Sequence, residues 1–209
     1  MKKLLLIAVV LMSASLASYA QLPTFGIKGG VNFATLNASA SSAGTSVSVT
    51  TGTLTTFSAG VFADFKLGGI SLQPALNFTG KGGKQEEDGN VAKINLYYLQ
   101  LPVNIVYHAP VAIGNVYFGA GPYAALGVTG KQKYTGGGVT QSEDITFGSD
   151  AGDVKRTDFG INGIAGVEFK NGFLVGLNYD LGLSDIGNDG TSQASTKNRV
   201  FGVSVGFKF

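Results

Sequence analysis

VYFGAGPYAALGVT, residues 116–129, places Val116, Phe118, Ala120, Pro122, Ala124, Leu126 and Val128 on one side of an extended chain. Tyr117, Gly119, Gly121, Tyr123, Ala125, Gly127 and Thr129 fall on the other. Successive strand residues point to opposite faces, so this alternation describes a strand with one face in an apolar medium. A soluble sheet would carry Lys and Glu on its second face. Here that face is mainly glycine and tyrosine, which suits a narrow interior.

The same period runs through seven further stretches, at 25–34, 57–67, 70–79, 97–107, 158–169, 173–184 and 201–209. No helical period of useful length competes with them. Short connections at Leu67-Gly68-Gly69, His108 to Asn115 and Asn171-Gly172 alternate with long polar ones at Asn37 to Thr53, Lys81 to Lys93, Gly130 to Arg156 and Asp185 to Asn198. Short turns at one end and long loops at the other are the pattern of an outer-membrane barrel. An even strand count returns both chain ends to the short-turn side.

Composition agrees with a lipid-facing exterior. Only 13% of the 209 residues are charged and mean hydropathy is +0.22, while 32 residues are glycine. Twelve of those glycines fall in the inward register, making room for Phe62, Tyr98, Tyr117 and Tyr123. Aromatic residues form two rows. Phe33, Phe57, Tyr97 and Phe159 stand near the long-loop ends, and Phe25, Phe65, Tyr107 and Phe169 near the short-turn ends. Their separation is about 26 to 33 Å of strand, roughly 20 to 25 Å after tilting, the height of an apolar band between aromatic girdles.

Residues 1–20 read as a cleaved signal peptide. Lys2 and Lys3 precede the apolar run from Leu4 to Met12, and Ser18-Tyr19-Ala20 is a small-x-small site, with cleavage between Ala20 and Gln21. Nine apolar residues are too few for a membrane helix, which needs about 20. Without Lys2 and Lys3 the 15 basic residues become 13, equal to the 13 acidic ones. That balance argues against a nucleic-acid partner. With no cysteine in the chain, disulfides, thiol catalysis and cysteine-ligated metals are excluded. The expected fold is all-β: an eight-stranded antiparallel transmembrane barrel over residues 21–209, with short periplasmic turns and long extracellular loops, in the bacterial outer membrane.

FGIKGGVNFATL (25–36), YYLQLPVNIVY (97–107), YFGAGPYAALG (117–127), DFGINGIAGVEF (158–169) and the terminal FGVSVGFKF (201–209) resemble the PorT-like outer-membrane β-barrel family. The resemblance implies the fold and the location and little biochemistry. Phe201, Val203, Val205, Phe207 and the final Phe209 are similar to the signal by which the barrel-assembly machinery recognises its clients. Outer-membrane lipid, that machinery and periplasmic chaperones are therefore the expected partners of a monomeric barrel.

Candidate chemistry is sparse. Lys28, Asp64, Lys66, Glu168, Asp180 and Lys208 fall in the inward register, and charges in so narrow a lumen must be paired. A salt-bridge network plugging the barrel is expected. Outer-membrane enzymes commonly use a histidine base near the outer rim. The one histidine, His108, is expected in a periplasmic turn beside Pro110, and Ser39 to Ser48 then lack a base. The acidic groups Glu143-Asp144, Asp150 with Asp153, and Asp185 with Asp189 fit no recognised calcium loop, and Gly136-Gly137-Gly138 lacks the context of a phosphate loop. The chain is thus expected to be no enzyme and to hold no cofactor or metal. Two roles fit: a structural or surface-interaction barrel acting through its extracellular loops, or an accessory of an export or assembly system. A narrow channel ranks below both.

Overall fold

A computed structural model describes residues 22–42, 45–148, 150, 152–188 and 194–209. The expected signal peptide and the expected cleavage between Ala20 and Gln21 lie outside the described residues. Ten strands follow one another: β1 (Thr24–Ser42), β2 (Thr45–Thr50), β3 (Leu54–Leu67), β4 (Ile70–Glu87), β5 (Asn90–Val111), β6 (Gly114–Gly136), β7 (Val139–Asp144), β8 (Thr157–Phe169), β9 (Phe173–Gly182) and β10 (Ala194–Lys208).

All pairings between these strands are antiparallel, and β10 closes the ring on β1 from Gly26 with Lys208 to Ala40 with Ala194. β2 and β3 both pair with β1, one beyond the other. β7 and β8 divide β6 in the same way. Each couple is one interrupted stave, so the ten strands build eight staves. Closure leaves no free edge among the membrane-spanning staves, and every backbone group at membrane depth can find a partner within the wall.

The alternation read from the sequence sets which face meets lipid. Val31, Val61, Leu101, Ile105, Ile161, Leu177 and Val205 are exposed, while Asn32, Phe62, Gln100, Asn104, Asn162 and Tyr123 are buried. Two aromatic girdles bound the exposed apolar surface. Phe57, Phe78 and Tyr97 cluster in the outer one with ring centroids 5.3 to 6.0 Å apart, and Phe33 meets Phe201 at 6.4 Å. Tyr107 with Phe118, and Phe169 with Phe173, mark the inner one. The ladders of β3 to β6 are interrupted beside Pro74, Pro102 and Pro122, whose nitrogens cannot donate.

The long connections differ from the expected polar loops. Most of their residues continue the strands beyond the membrane as β-hairpins. β5 has 22 residues; at about 3.3 Å each and about 40° of tilt it rises roughly 56 Å, over twice the ~25 Å apolar band. Asp88-Gly89 makes the turn of one hairpin, both residues at positive φ (49° and 78°), between paired Glu87 and Asn90. Gly137-Gly138 turns another. Residues 145–148 and 152–156 belong to an excursion that splits the stave of β7 and β8, and 183–188 are irregular.

Candidate functional site

Among the described residues, the lumen is where the fold gathers polar chemistry under burial. Its periplasmic end holds a cluster around Lys208, whose Nζ donates to Asp64 of β3 and to Glu168 of β8, the latter at 3.0 Å. One ammonium from the closing strand thus ties two staves across the lumen. His108 completes this cluster, which corrects the sequence reading. It is not in the turn, which is Ala112-Ile113 alone, but on β5 with its ring directed inward. Nε2 lies 3.0 Å from Ser71 Oγ, and the ring approaches Asp64 at 3.8 Å and Glu168 at 3.7 Å. β5 simply runs farther than its hydrophobic period, because Ala109, Pro110 and Val111 continue the ladder opposite Val116, Asn115 and Gly114.

The remaining sequence candidates are placed apart from that cluster. Asp180 accepts from the amides of Gln100 at 3.0 Å and Asn162 at 2.6 Å, and Asn104 donates to Asn162 at 2.7 Å. Lys28 sits across from Asp180 and lines two small cavities, about 40 and about 20 Å³. Asp64 lies opposite Thr24 on β1, four residues below Lys28, so the two do not meet. Lys66 is exposed at the periplasmic rim. Asn77 Oδ1 and Gln100 Oε1 border the smaller cavity and have no protein donor. Such a polar space has the size and partners to hold a water molecule.

A second cluster, at the extracellular end, was missed by sequence reasoning. Lys81 Nζ of β4 and Asp158 Oδ2 of β8 lie 2.9 Å apart with both side chains fully buried. Asp158 also accepts from Ser184 at 3.0 Å, Asn198 at 3.0 Å and Tyr123 at 3.3 Å. The ammonium sits 4.2 Å from the Tyr123 ring centroid and 5.3 Å from that of Tyr98. A buried ion pair needs such additional partners to offset its desolvation.

Above this pair the outer segments form an apolar cover. Ile145, Phe147 and Val154 of the excursion pack with Ile186 on Leu36, Leu96, Tyr98 and Tyr123. Phe147 meets Tyr98 edge-on at 5.9 Å and occupies the space that a side chain at Gly127 would need. The backbone fixes the cover through Gly127 N to Arg156 O, Ile145 N to Gly130 O and Lys155 N to Ile186 O, all within 2.9 Å. Asp185 secures it from outside, accepting from Lys155 Nζ at 2.6 Å, Thr196 N at 2.7 Å and Gly187 N at 3.1 Å. Partial burial raises the carboxyl's pKa, but these donors outweigh it and hold the group below the ordinary carboxylate range.

A closed ring of tilted strands, girdled twice and filled with side chains, defines an integral β-barrel of the bacterial outer membrane. The chain belongs to the outer membrane protein beta-barrel domain family, which it matches over residues 19–188. Among solved structures it is similar to Neisserial surface protein A, at 15% identity and a TM-score of 0.45 over 88% of this chain and 97% of that one. It is also similar to Ail, the attachment invasion locus protein of Yersinia pestis, at 14% identity and a TM-score of 0.39 over 87% of this chain and 98% of that one. No curated protein matches it.

Proposed function

We propose that this chain is a non-enzymatic, monomeric outer-membrane barrel that acts through its extracellular hairpins and keeps its lumen closed. The observation that carries this reading is the buried Lys81–Asp158 pair beneath the cover of Ile145, Phe147, Val154 and Ile186. A conducting pore needs a continuous water column, and both ends of this lumen are occupied by paired charge and packed rings. Ser71 and His108 have the contact of a nucleophile and its base, yet Ser71 is 1% exposed inside the wall, out of reach of a substrate carbonyl. Planar-bilayer recording tests the reading: no steady current is expected, and a stable open level would sink it.

Biogenesis by periplasmic chaperones and the barrel-assembly machinery fits the terminal strand. Phe201, Val203, Val205, Phe207 and Phe209 all lie on its lipid face, 41 to 69% exposed. A second role, as accessory to an export or assembly system, rests on the resemblance of residues 97–107 and 201–209 to PorT-like barrels. Crosslinking in the native membrane separates the two, since an accessory yields one dominant protein adduct on its periplasmic turns.

A further inference from the structure

Three lysines stand side by side on the outer wall above the girdle. Lys84 of β4 is in register with Lys93 of β5, and Lys93 with Lys133 of β6. Directly opposed residues of an antiparallel pair share a face, with Cβ atoms about 4.5 to 5.5 Å apart. That face is the outward one. Lys81, Leu96 and Gly130 make the row three positions nearer the membrane, and all three are buried in the lumen. Three steps along a strand reverse the side to which a residue points.

Like charges directly opposite one another destabilise a sheet, and here two such pairs follow in succession. Glu86 relieves Lys84, and Asp144 at 3.4 Å relieves Lys131, which lies beside Asn95 on the same outward face. Lys93 and Lys133 have no carboxylate in ion-pair contact among the described residues, Glu86 acting on Lys93 only from beyond that range, and both are exposed. Below them lie the packed rings of Phe57, Phe78 and Tyr97. From Tyr97 to Lys93 is four residues; that is about 13 Å of strand and roughly 10 Å of height after tilting. The flexible lysine stems can lean toward the membrane over that distance.

We infer that Lys93 and Lys133, flanked by Lys84 and Lys131, bind the phosphate-bearing headgroup of an anionic lipid in the outer leaflet. The four lysines outnumber the two carboxylates beside them, Glu86 and Asp144, which leaves ammonium charge to meet the oxygens of one phosphate, and the ring trio beneath lies level with the start of the acyl chains. The lipid supplies the negative charge that the sheet register lacks.

The test uses the folded full-length barrel in nanodiscs carrying phosphatidylglycerol or phosphatidylcholine with a photoactivatable headgroup, and maps the adducts by mass spectrometry. Adducts on residues 84–95 and 129–135 are expected to favour phosphatidylglycerol at least about threefold, and to lose that preference in Lys93→Gln/Lys133→Gln. Adducts at the periplasmic rim around Lys170 should be unchanged in that variant. Heat-modifiable migration establishes that the variant is folded. If it is not, the wild type in about 1 M salt replaces it, where the screening length falls to about 3 Å and the preference should vanish. Equal labelling by the two lipids, or a preference that survives both charge removal and salt, overturns the proposal. Displacement of the lipid by inorganic phosphate alone would overturn its assignment to a membrane lipid.

Discussion

Lys81 and Asp158 belong to staves with two others between them round the ring, 77 residues apart in sequence, and meet in a 2.9 Å ion pair from which solvent is excluded. Neither stave is bonded to the other, since β4 pairs with β3 and β5 while β8 pairs with β6 and β9. The pair is therefore a strut across the barrel. The ladders set the barrel's size through strand number and stagger, and the pair adds a contact through the lumen that resists flattening of the ring.

Removing one partner strands the other in the lumen. Lys81→Met and Asp158→Ala should each destabilise the barrel by about 3 to 5 kcal/mol, while the double variant loses clearly less than the sum. Urea unfolding in detergent, followed by heat-modifiable migration, measures all three. Additive losses would mean that the two charges are held independently.

Tyr117 illustrates how glycine and aromatic residues divide the lumen. A methyl group built on Gly176 would overlap the Tyr117 hydroxyl, and its next contact is the Ala165 carbonyl at 3.3 Å. Gly176→Ala should therefore cost about 1 to 3 kcal/mol, and Tyr117→Phe in the same chain should restore most of it. Gly121→Ala is a different case, because its nearest neighbours are the backbone of Val103 and Asn104. No side-chain change should rescue that variant. Equal behaviour of the two glycines in unfolding experiments would refute the pairing with Tyr117.

The wall was legible in the sequence because a lipid-facing strand must be apolar at every second residue. Phe25 to Phe33 and Phe201 to Phe209 show that period plainly, and the structure pairs them at the closing seam. The hairpins beyond the membrane were not legible as strands, since water on both faces removes the period. Asp88-Gly89 was nevertheless a hairpin signal, present in the stretch expected to be a loop. Asp158 stood in the inward register beside Phe159 and could have been found there. Lys81 could not be found so easily, because Gly80, Gly82 and Gly83 conceal the alternation around it. Its pairing with Asp158 depends on which staves face each other, and that is a property of closure alone.

Lys208 carries the closing strand's share of the periplasmic cluster. Its ammonium stands between Asp64 and Glu168, with His108 against both. Lys208→Met would leave two carboxylates facing one another with no fixed cation between them. The expected loss is about 3 kcal/mol or more, recovered in part by Asp64→Asn, which removes one of the like charges. If Asp64→Asn lowers stability further in the Lys208→Met background, the carboxylates are not in contact through the lysine. Unfolding midpoints in detergent decide between these outcomes.

Asp185 gives the cover an acid-sensitive fastening. Its folded pKa is held below the unfolded value of about 3.9 by Lys155 and two backbone donors, against the opposing effect of burial. A depressed folded pKa contributes stability that is fully present above the unfolded value and is lost as pH falls through the folded one. The cover should therefore be indifferent to pH from about 5 to 8 and should loosen below about 4. Amide exchange, corrected for the intrinsic rate at each pH, reads this at Lys155 and Ile186, whose amides bond to Ile186 and Thr196 respectively. Their protection should fall between pH 5.5 and pH 2.5 in the wild type, while the β4–β5 ladder at Phe78 and Leu99 keeps its own. In Asp185→Asn protection should already be low at pH 5.5 and change little on acidification. Unaltered protection of Lys155 and Ile186 at pH 2.5 in the wild type would show that apolar packing on Tyr98 and Leu96 holds the cover by itself.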